Sequence, residues 1–144
     1  MLLKGKNAVI TGCLRGIGKT TMEVFAENGA DIWACCEAKN EEFEAHISNL
    51  SIKYNVTIIP IYFDLLDSDE IKVAMKTIIN SKKRVDILIN IAGMTHNALF
   101  SMTTMDKMKQ VFEIDFFSQM LVTQYITKAM IKHKIGNVIN ISSV

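Results

Sequence analysis

Residues Asn7 to Ala30 read NAVITGCLRGIGKTTMEVFAENGA. Ala8-Val9-Ile10 is a short apolar run leading into Thr11, and glycines then stand at Gly12, Gly16 and Gly18. Beyond Gly18 the spacing becomes helical, with Met22, Val24, Phe25 and Ala26 forming an apolar face that stops at Asn28-Gly29. Strand, glycine turn and helix together make a phosphate cradle. Glycines let the backbone turn tightly and approach a pyrophosphate, while the helix start offers unpaired N–H groups and a positive dipole end. A plain strand-to-helix turn commonly uses one glycine; three after a strand favour the cradle.

Two phosphate ligands compete for these residues. Gly18-Lys19-Thr20 matches the end of an ATP-binding P-loop, but that pattern needs its first glycine at position 13, which is Cys13. The dinucleotide fingerprint G-x-G-x-x-G also fails literally, because the spacing here is G-x-x-x-G-x-G.

The remaining composition narrows the class. The chain has 144 residues, 49% of them hydrophobic, which suits one domain with a real core. Sixteen basic against fifteen acidic residues leave a net charge of +1, so no electrostatic case arises for nucleic acid or an anionic membrane. Apolar runs are short, which predicts no transmembrane helix, and MLLKGKNAVI does not read as a signal peptide. Three cysteines, two of them adjacent (Cys35-Cys36), fit neither a disulfide framework nor a zinc site. A cytoplasmic protein with reduced thiols and no metal is expected.

Strand-like and helix-like segments alternate along the whole chain, the pattern of a parallel α/β sheet. Strands are predicted at 7–11, 31–36, 56–63, 85–90 and 137–141, and helices at 16–28, 41–54 and about 67–81. Phe43, Ile47, Leu50 and Tyr54 set the second helix by steps of four, three and four. Pro60 confines the third strand to a sheet edge or a bulge. A long amphipathic helix is predicted from Thr103 or Thr104 to His133, with Gly136 stopping it. His46 and His133 read as solvated residues on polar helix faces.

Open α/β sheets bind ligands outside the carboxyl ends of their strands. Thr11/Gly12, Cys36/Glu37, Asp64, Asn90 and Ser143 all fall at such ends. Thr11-Gly12-Cys13-Leu14-Arg15-Gly16-Ile17-Gly18 resembles the TGxxxGIG turn of the short-chain dehydrogenase/reductase family. Asp64-Leu65, Asn90-Ile91-Ala92-Gly93 and Asn140-Ile141-Ser142-Ser143-Val144 resemble further landmarks of that family, in the same order. The likeness is strongest to the 3-oxoacyl-[acyl-carrier-protein] reductase branch and covers the N-terminal part of such an enzyme. It implies a Rossmann-type doubly wound parallel sheet, truncated after the fifth strand, with residues 1–144 forming a single NAD(P)-binding domain incomplete at its C-terminal end.

The resemblance also implies roles. Gly12, Arg15, Gly16, Ile17 and Gly18 line the cofactor's pyrophosphate and ribose. Cys36 and Glu37 stand where acidic residues of NAD-selective members hold the ribose hydroxyls. Asp64 accepts from the adenine amino group, with Leu65 beside it, and Asn90, Ala92 and Gly93 flank the ribose and support the sheet. Ser143 matches the serine that donates to the substrate carbonyl, and Asp115 aligns with the family's catalytic asparagine. Ile91 replaces the second asparagine of the usual Asn-Asn-Ala-Gly. Either NADP or NAD is implied, with Arg15 favouring the extra phosphate of NADP and Glu37 opposing it.

The implied reaction is hydride transfer between the nicotinamide and a small carbonyl or alcohol, which in this branch is carried on an acyl carrier. Its general acid is the tyrosine of a Tyr-x-x-x-Lys pair beyond the serine. None of Tyr54, Tyr62 and Tyr125 has lysine four residues on, so the chain as given is expected to be inactive. The family's use of the long helix between subunits implies a homo-oligomer through residues 104–133. Two other classes stay open: a P-loop nucleotide hydrolase, with Ile61-Tyr62-Phe63-Asp64 as its second motif, and a non-catalytic dinucleotide-binding or oligomerisation module.

Overall fold

The computed structural model describes residues 1–143. Val144, the last residue of the Asn140–Val144 landmark, lies outside the described residues. In chain order the elements are β1 (Asn7–Thr11), α1 (Gly16–Glu27), β2 (Asp31–Cys36), α2 (Glu41–Tyr54), β3 (Ile58–Tyr62), α3 (Ser68–Asn80), β4 (Ile87–Asn90), α4 (Met105–Phe112), α5 (Ser118–His133) and β5 (Asn137–Asn140). The strands form one sheet in the order β3-β2-β1-β4-β5, every neighbouring pair parallel. β1 therefore lies centrally, paired Thr11↔Cys35 on one side and Ile10↔Ile89 on the other.

Alternation along the strands sorts side chains to two helix layers. Ala8, Ile10, Ile32, Ala34 and Cys36 pack with Met22 and Ala26 of α1 and Phe43, Ile47 and Leu50 of α2. Val9, Trp33, Cys35 and Leu88 pack on the other face with Ile71, Met75 and Ile78 of α3 and Val122, Ile126 and Met130 of α5. Burying both faces explains why β1 and β2 read as unbroken apolar runs. Among the described residues, no helix is long and apolar enough to cross a membrane.

Pro60 lies in the edge strand β3, as its missing N–H requires. That strand is shorter than the expected 56–63, and β4 begins at Ile87 rather than Val85. The predicted helix 104–133 is interrupted. Thr104 does cap α4, accepting from Lys107 N–H at 3.2 Å, but Glu113–Phe117 form a π turn before α5 begins. It ends at His133 as expected, but the residue that stops it is Lys134, in the left-handed conformation (φ 53°), rather than Gly136. Gly136 serves packing instead, since a Cβ there would stand 2.4 Å from Met130 Sδ. His46 is not simply solvated: its Nε2 lies 2.7 Å from Glu23 Oε1, tying α2 to α1.

At the amino end of the sheet, opposite the cradle, Asp86 is buried. Its Oδ2 accepts from Asn7 N–H at 2.9 Å, and Arg84 Nε lies 2.8 Å from its Oδ1. The Arg84 N–H is not aimed at that oxygen, so the pair is ionic rather than a directed hydrogen bond. This charge cluster joins β1, β4 and β5, since Asn137 N–H donates to Asp86 O at 2.9 Å.

Candidate dinucleotide-binding site

The strand order reverses between β1 and β4, and the crevice at their carboxyl ends is where such a sheet takes ligands. The glycine turn stands at its rim. Gly12 has φ +74°, and a Cβ on it would meet the Ala92 backbone at 3.0 Å. A Cβ on Gly18 would lie 2.0 Å from Gly12 O, so the helix start and the turn fit only without side chains. Gly16, at φ +58°, has nothing within 4 Å of a built Cβ and faces open space. Two of the glycines thus serve close packing, and the third keeps the outer surface bare.

The start of α1 fits an anion. Asn40 caps α2 by accepting from Phe43 N–H, Asp67 caps α3 through Asp69 and Glu70 N–H, and Thr104 caps α4. Each of those helices also carries acidic residues in its first turn. α1 has neither device: Arg15 at its N-cap makes no side-chain cap, and the first turn holds no acidic residue. Its positive end is therefore not neutralised by side chains of its own first turn or cap, as at a helix start able to take an anion. Arg15 and Ile17 are exposed beside it.

The other sequence-selected residues gather at the same end of the sheet. Cys36 is buried, while Glu37 next to it is exposed. Asp64 Oδ1 accepts from Leu66 N–H at 2.8 Å, and its own N–H donates to Glu70 Oε2 at 2.8 Å, shaping the turn into α3. Leu65 is partly buried, and its carbonyl accepts from Ser118 Oγ. Asn90 is buried, its Nδ2 donating to Thr123 Oγ1 at 2.9 Å and Asn140 Oδ1 at 2.8 Å. These bonds tie β4 to α5 and β5. Ser143 is exposed, just beyond β5.

Ile91–Met94, the segment leaving β4, is held from several elements. Thr11 Oγ1 accepts the N–H groups of Ile91 and Ala92, and Asp115 Oδ1 accepts that of Met94 at 2.8 Å. Asp115 lies in the π turn, and a Cβ on Gly93 would come 3.2 Å from its Oδ1. Gln119 Nε2 donates to Ala92 O at 2.6 Å. The sequence marks Thr11 as a strand end and the first residue of the glycine turn without revealing that it holds this segment, and gives no sign of Gln119, whose polarity within a helical stretch suggests solvent rather than burial.

Three thiols lie beneath the turn. Cys13 Sγ donates to Ile10 O at 3.1 Å, and Cys13 N–H donates to Cys35 O at 3.1 Å. Burial pushes the Cys13 and Cys35 thiols well above the usual range and Cys36 up to about 12. Such thiols are neutral packing groups rather than nucleophiles. Lys19, the P-loop candidate, lines a cavity of about 390 Å³ between α1 and α2 with Leu14, Asn40 and His46.

A profile of the short chain dehydrogenase family matches residues 6–144. The 3-oxoacyl-[acyl-carrier-protein] reductase of Aquifex aeolicus is 32% identical over 142 residues, covering 99% of this chain and 57% of that protein. The dehydrogenase/reductase SDR family member 7B of Rattus norvegicus is 32% identical over 146 residues, covering 99% of this chain and 45% of its own length. The chain thus spans about half the length of the curated relatives it matches. Among solved structures, L-sorbose reductase from Gluconobacter frateurii, complexed with NADPH and L-sorbose, superposes with a TM-score of 0.91 at 24% identity, over 99% of this chain and 54% of that one. That likeness concerns the fold. The glycine turn, the sheet order and the match over nearly the whole sequence lead to one assignment: the chain belongs to the short chain dehydrogenase family.

Proposed function

We propose that residues 1–144 form the dinucleotide-binding domain of a nicotinamide-dependent oxidoreductase acting on a small carbonyl or alcohol, with a 3-oxoacyl thioester on an acyl carrier as the favoured substrate class. The observation that carries the reading is the bare, uncapped start of α1 above three glycines, set at the reversal point of the sheet. Gly12, Arg15, Gly16, Ile17 and Gly18 would hold pyrophosphate and ribose, and Cys36 with Glu37 the adenosine ribose. Asp64 and Leu65 would border adenine; Asn90, Ala92 and Gly93 would form the opposite wall. When bound, the nicotinamide supplies or accepts the hydride. Ser143 would donate to the substrate oxygen, and Asp115 would keep the π turn in place beside it.

We favour NADP over NAD. Arg15 is an exposed cation at the cradle, with no ion pair among the described residues, and it outweighs the repulsion from Glu37. No tyrosine in these 144 residues has lysine four positions on, so binding without turnover is expected. Lacking a positioned general acid costs on the order of 10²–10⁴-fold in rate. The exposed Met105, Phe112, Phe116 and Phe117 support self-association through residues 104–133. The neutral buried thiols suit a cytoplasmic setting.

Titration calorimetry with NADPH and NADH tests the reading. Both should bind, NADPH more tightly, and Arg15→Gln should weaken NADPH about tenfold or more and NADH by a clearly smaller factor, since only NADPH also loses a contact to its extra phosphate. Binding of neither would refute the cofactor assignment, and tighter NADH binding would reverse the preference. Turnover of NADPH with a 3-oxoacyl thioester by the purified chain would overturn the inactive part.

A further inference from the structure

We propose that Gln119 is a positioning residue for dinucleotide binding: it fixes the peptide between Ala92 and Gly93 so that the Gly93 N–H is aimed into the crevice. The inference rests on the cofactor reading above. The Ile91–Met94 segment is gripped at three points, and two of the grips are alike. Thr11 takes the N–H groups of Ile91 and Ala92 at 3.0 and 3.1 Å, and Asp115 takes that of Met94 at 2.8 Å. Neither constrains the peptide in between. Gln119 does, because its Nε2 donates to Ala92 O at 2.6 Å.

A peptide unit is planar and trans, so its C=O and N–H point in opposite directions. Holding Ala92 O toward α5 therefore turns the Gly93 N–H away from α5, to the open side of the segment. Glycine has the freest backbone, so without that hold the Ala92–Gly93 peptide could rotate between the Thr11 and Asp115 grips. Gln119 makes a further bond, to Ile114 O at 3.3 Å, so the same amide joins the segment to the π turn.

Space filling does not account for an amide here. Gln119 is 5% exposed, and its Oε1 is buried with no donor. Leucine or methionine would occupy the volume without orphaning an acceptor. Nor can the amide turn over, because that would set two oxygens 2.6 Å apart. Its donor is the group that matters.

Wild type, Gln119→Met and Gln119→Glu are compared by NADPH calorimetry between pH 5.5 and 8.5 and by the NMR order parameter of the Gly93 amide in the free proteins. Gln119→Met keeps the shape without the donor, and should weaken NADPH about three- to tenfold and lower the Gly93 order parameter from about 0.85 to below about 0.6. Gln119→Glu donates only when protonated. Its NADPH affinity, taken relative to wild type at the same pH, should approach wild type at pH 5.5 and fall about tenfold by pH 8.5. If Gln119→Met does not fold, that relative pH step alone decides, and a flat Gln119→Glu ratio overturns the proposal. A folded Gln119→Met with NADPH affinity within twofold of wild type and an unchanged Gly93 order parameter also overturns it. If wild type binds no NADPH, the cofactor reading fails, and the Gly93 order parameter alone judges the hold on the peptide: lower supports it, unchanged refutes it.

Discussion

Thr11 Oγ1 receives two consecutive backbone N–H groups, those of Ile91 and Ala92, at 3.0 and 3.1 Å. One hydroxyl at the end of the central strand thus sets where the segment after β4 begins. Thr11 is itself buried, so no solvent replaces it. Thr11→Val keeps the shape and orphans both donors. The expected loss is about 1–3 kcal/mol of unfolding free energy, read by urea denaturation, with Thr11→Ser close to wild type. Equal stability of Thr11→Val and wild type would show the two bonds to be dispensable.

Gly16 and Gly18 should separate binding from folding. A Cβ at Gly18 would strike Gly12 O at 2.0 Å, so Gly18→Ala should cost about 1–3 kcal/mol or more and lower the melting temperature by several degrees. At Gly16 the space is open, and only the positive φ of +58° opposes a side chain, at roughly 1–2 kcal/mol. Gly16→Ala should therefore remain folded and lose NADPH affinity, since its methyl would stand on the bare surface of the cradle. Thermal unfolding and calorimetry on the two variants check this; normal NADPH binding by Gly16→Ala would remove that surface from the site.

The thiols predict a direction for alkaline stability. Burial raises Cys13, Cys35 and Cys36, the last to about 12, while unfolded thiols titrate near about 8.5. The unfolded chain therefore loses these protons first as pH rises, and stability fully present below about pH 8.5 declines toward pH 12. Each thiol can contribute at most about 1.4 kcal/mol per pH unit within that window. Urea unfolding at pH 7.5, 8.5 and 9.5 should show the decline, shallower in Cys36→Ala. A chromogenic disulfide should react slowly with the folded chain and with all three thiols after unfolding; rapid labelling of folded protein would contradict their burial.

Asp86 lies at the sheet end opposite the cradle, so its effects should be confined to stability. Asp86→Ala leaves Asn7 N–H without its acceptor and the half-exposed Arg84 and Lys6 without their counter-ion, an expected loss of about 1–3 kcal/mol, most of it from the orphaned backbone donor. Where the variant remains folded, NADPH affinity should match wild type. A specific loss of binding without loss of stability would mean that the two ends of β4 are coupled.

Much of this architecture was legible along the chain because it rests on local periodicity. The extents of β1, β2 and α2 coincide with those expected, since unbroken apolar runs mark strands buried on both faces, and Phe43, Ile47 and Leu50 mark one helical stripe. Pro60 announced an edge strand by lacking a donor. The π turn was not legible. One extra residue per turn leaves the surrounding helical pattern nearly intact, so Thr104 to His133 read as one helix. The pairing of His46 with Glu23 joins residues far apart in sequence, and no spacing rule reveals it.

By itself, the sequence determined the strand–glycine turn–helix unit, the alternation that builds a parallel sheet, and the strand ends where a ligand would sit. These follow from backbone sterics and apolar periodicity, which act between near neighbours. Tertiary structure decided which glycine meets what: Gly12 against Ala92, Gly18 against Gly12 O, and Gly16 against open space. It also turned Asp115 and Gln119 onto the Ile91–Met94 segment, because only the packing of α5 against β4 brings those polar groups within hydrogen-bonding distance.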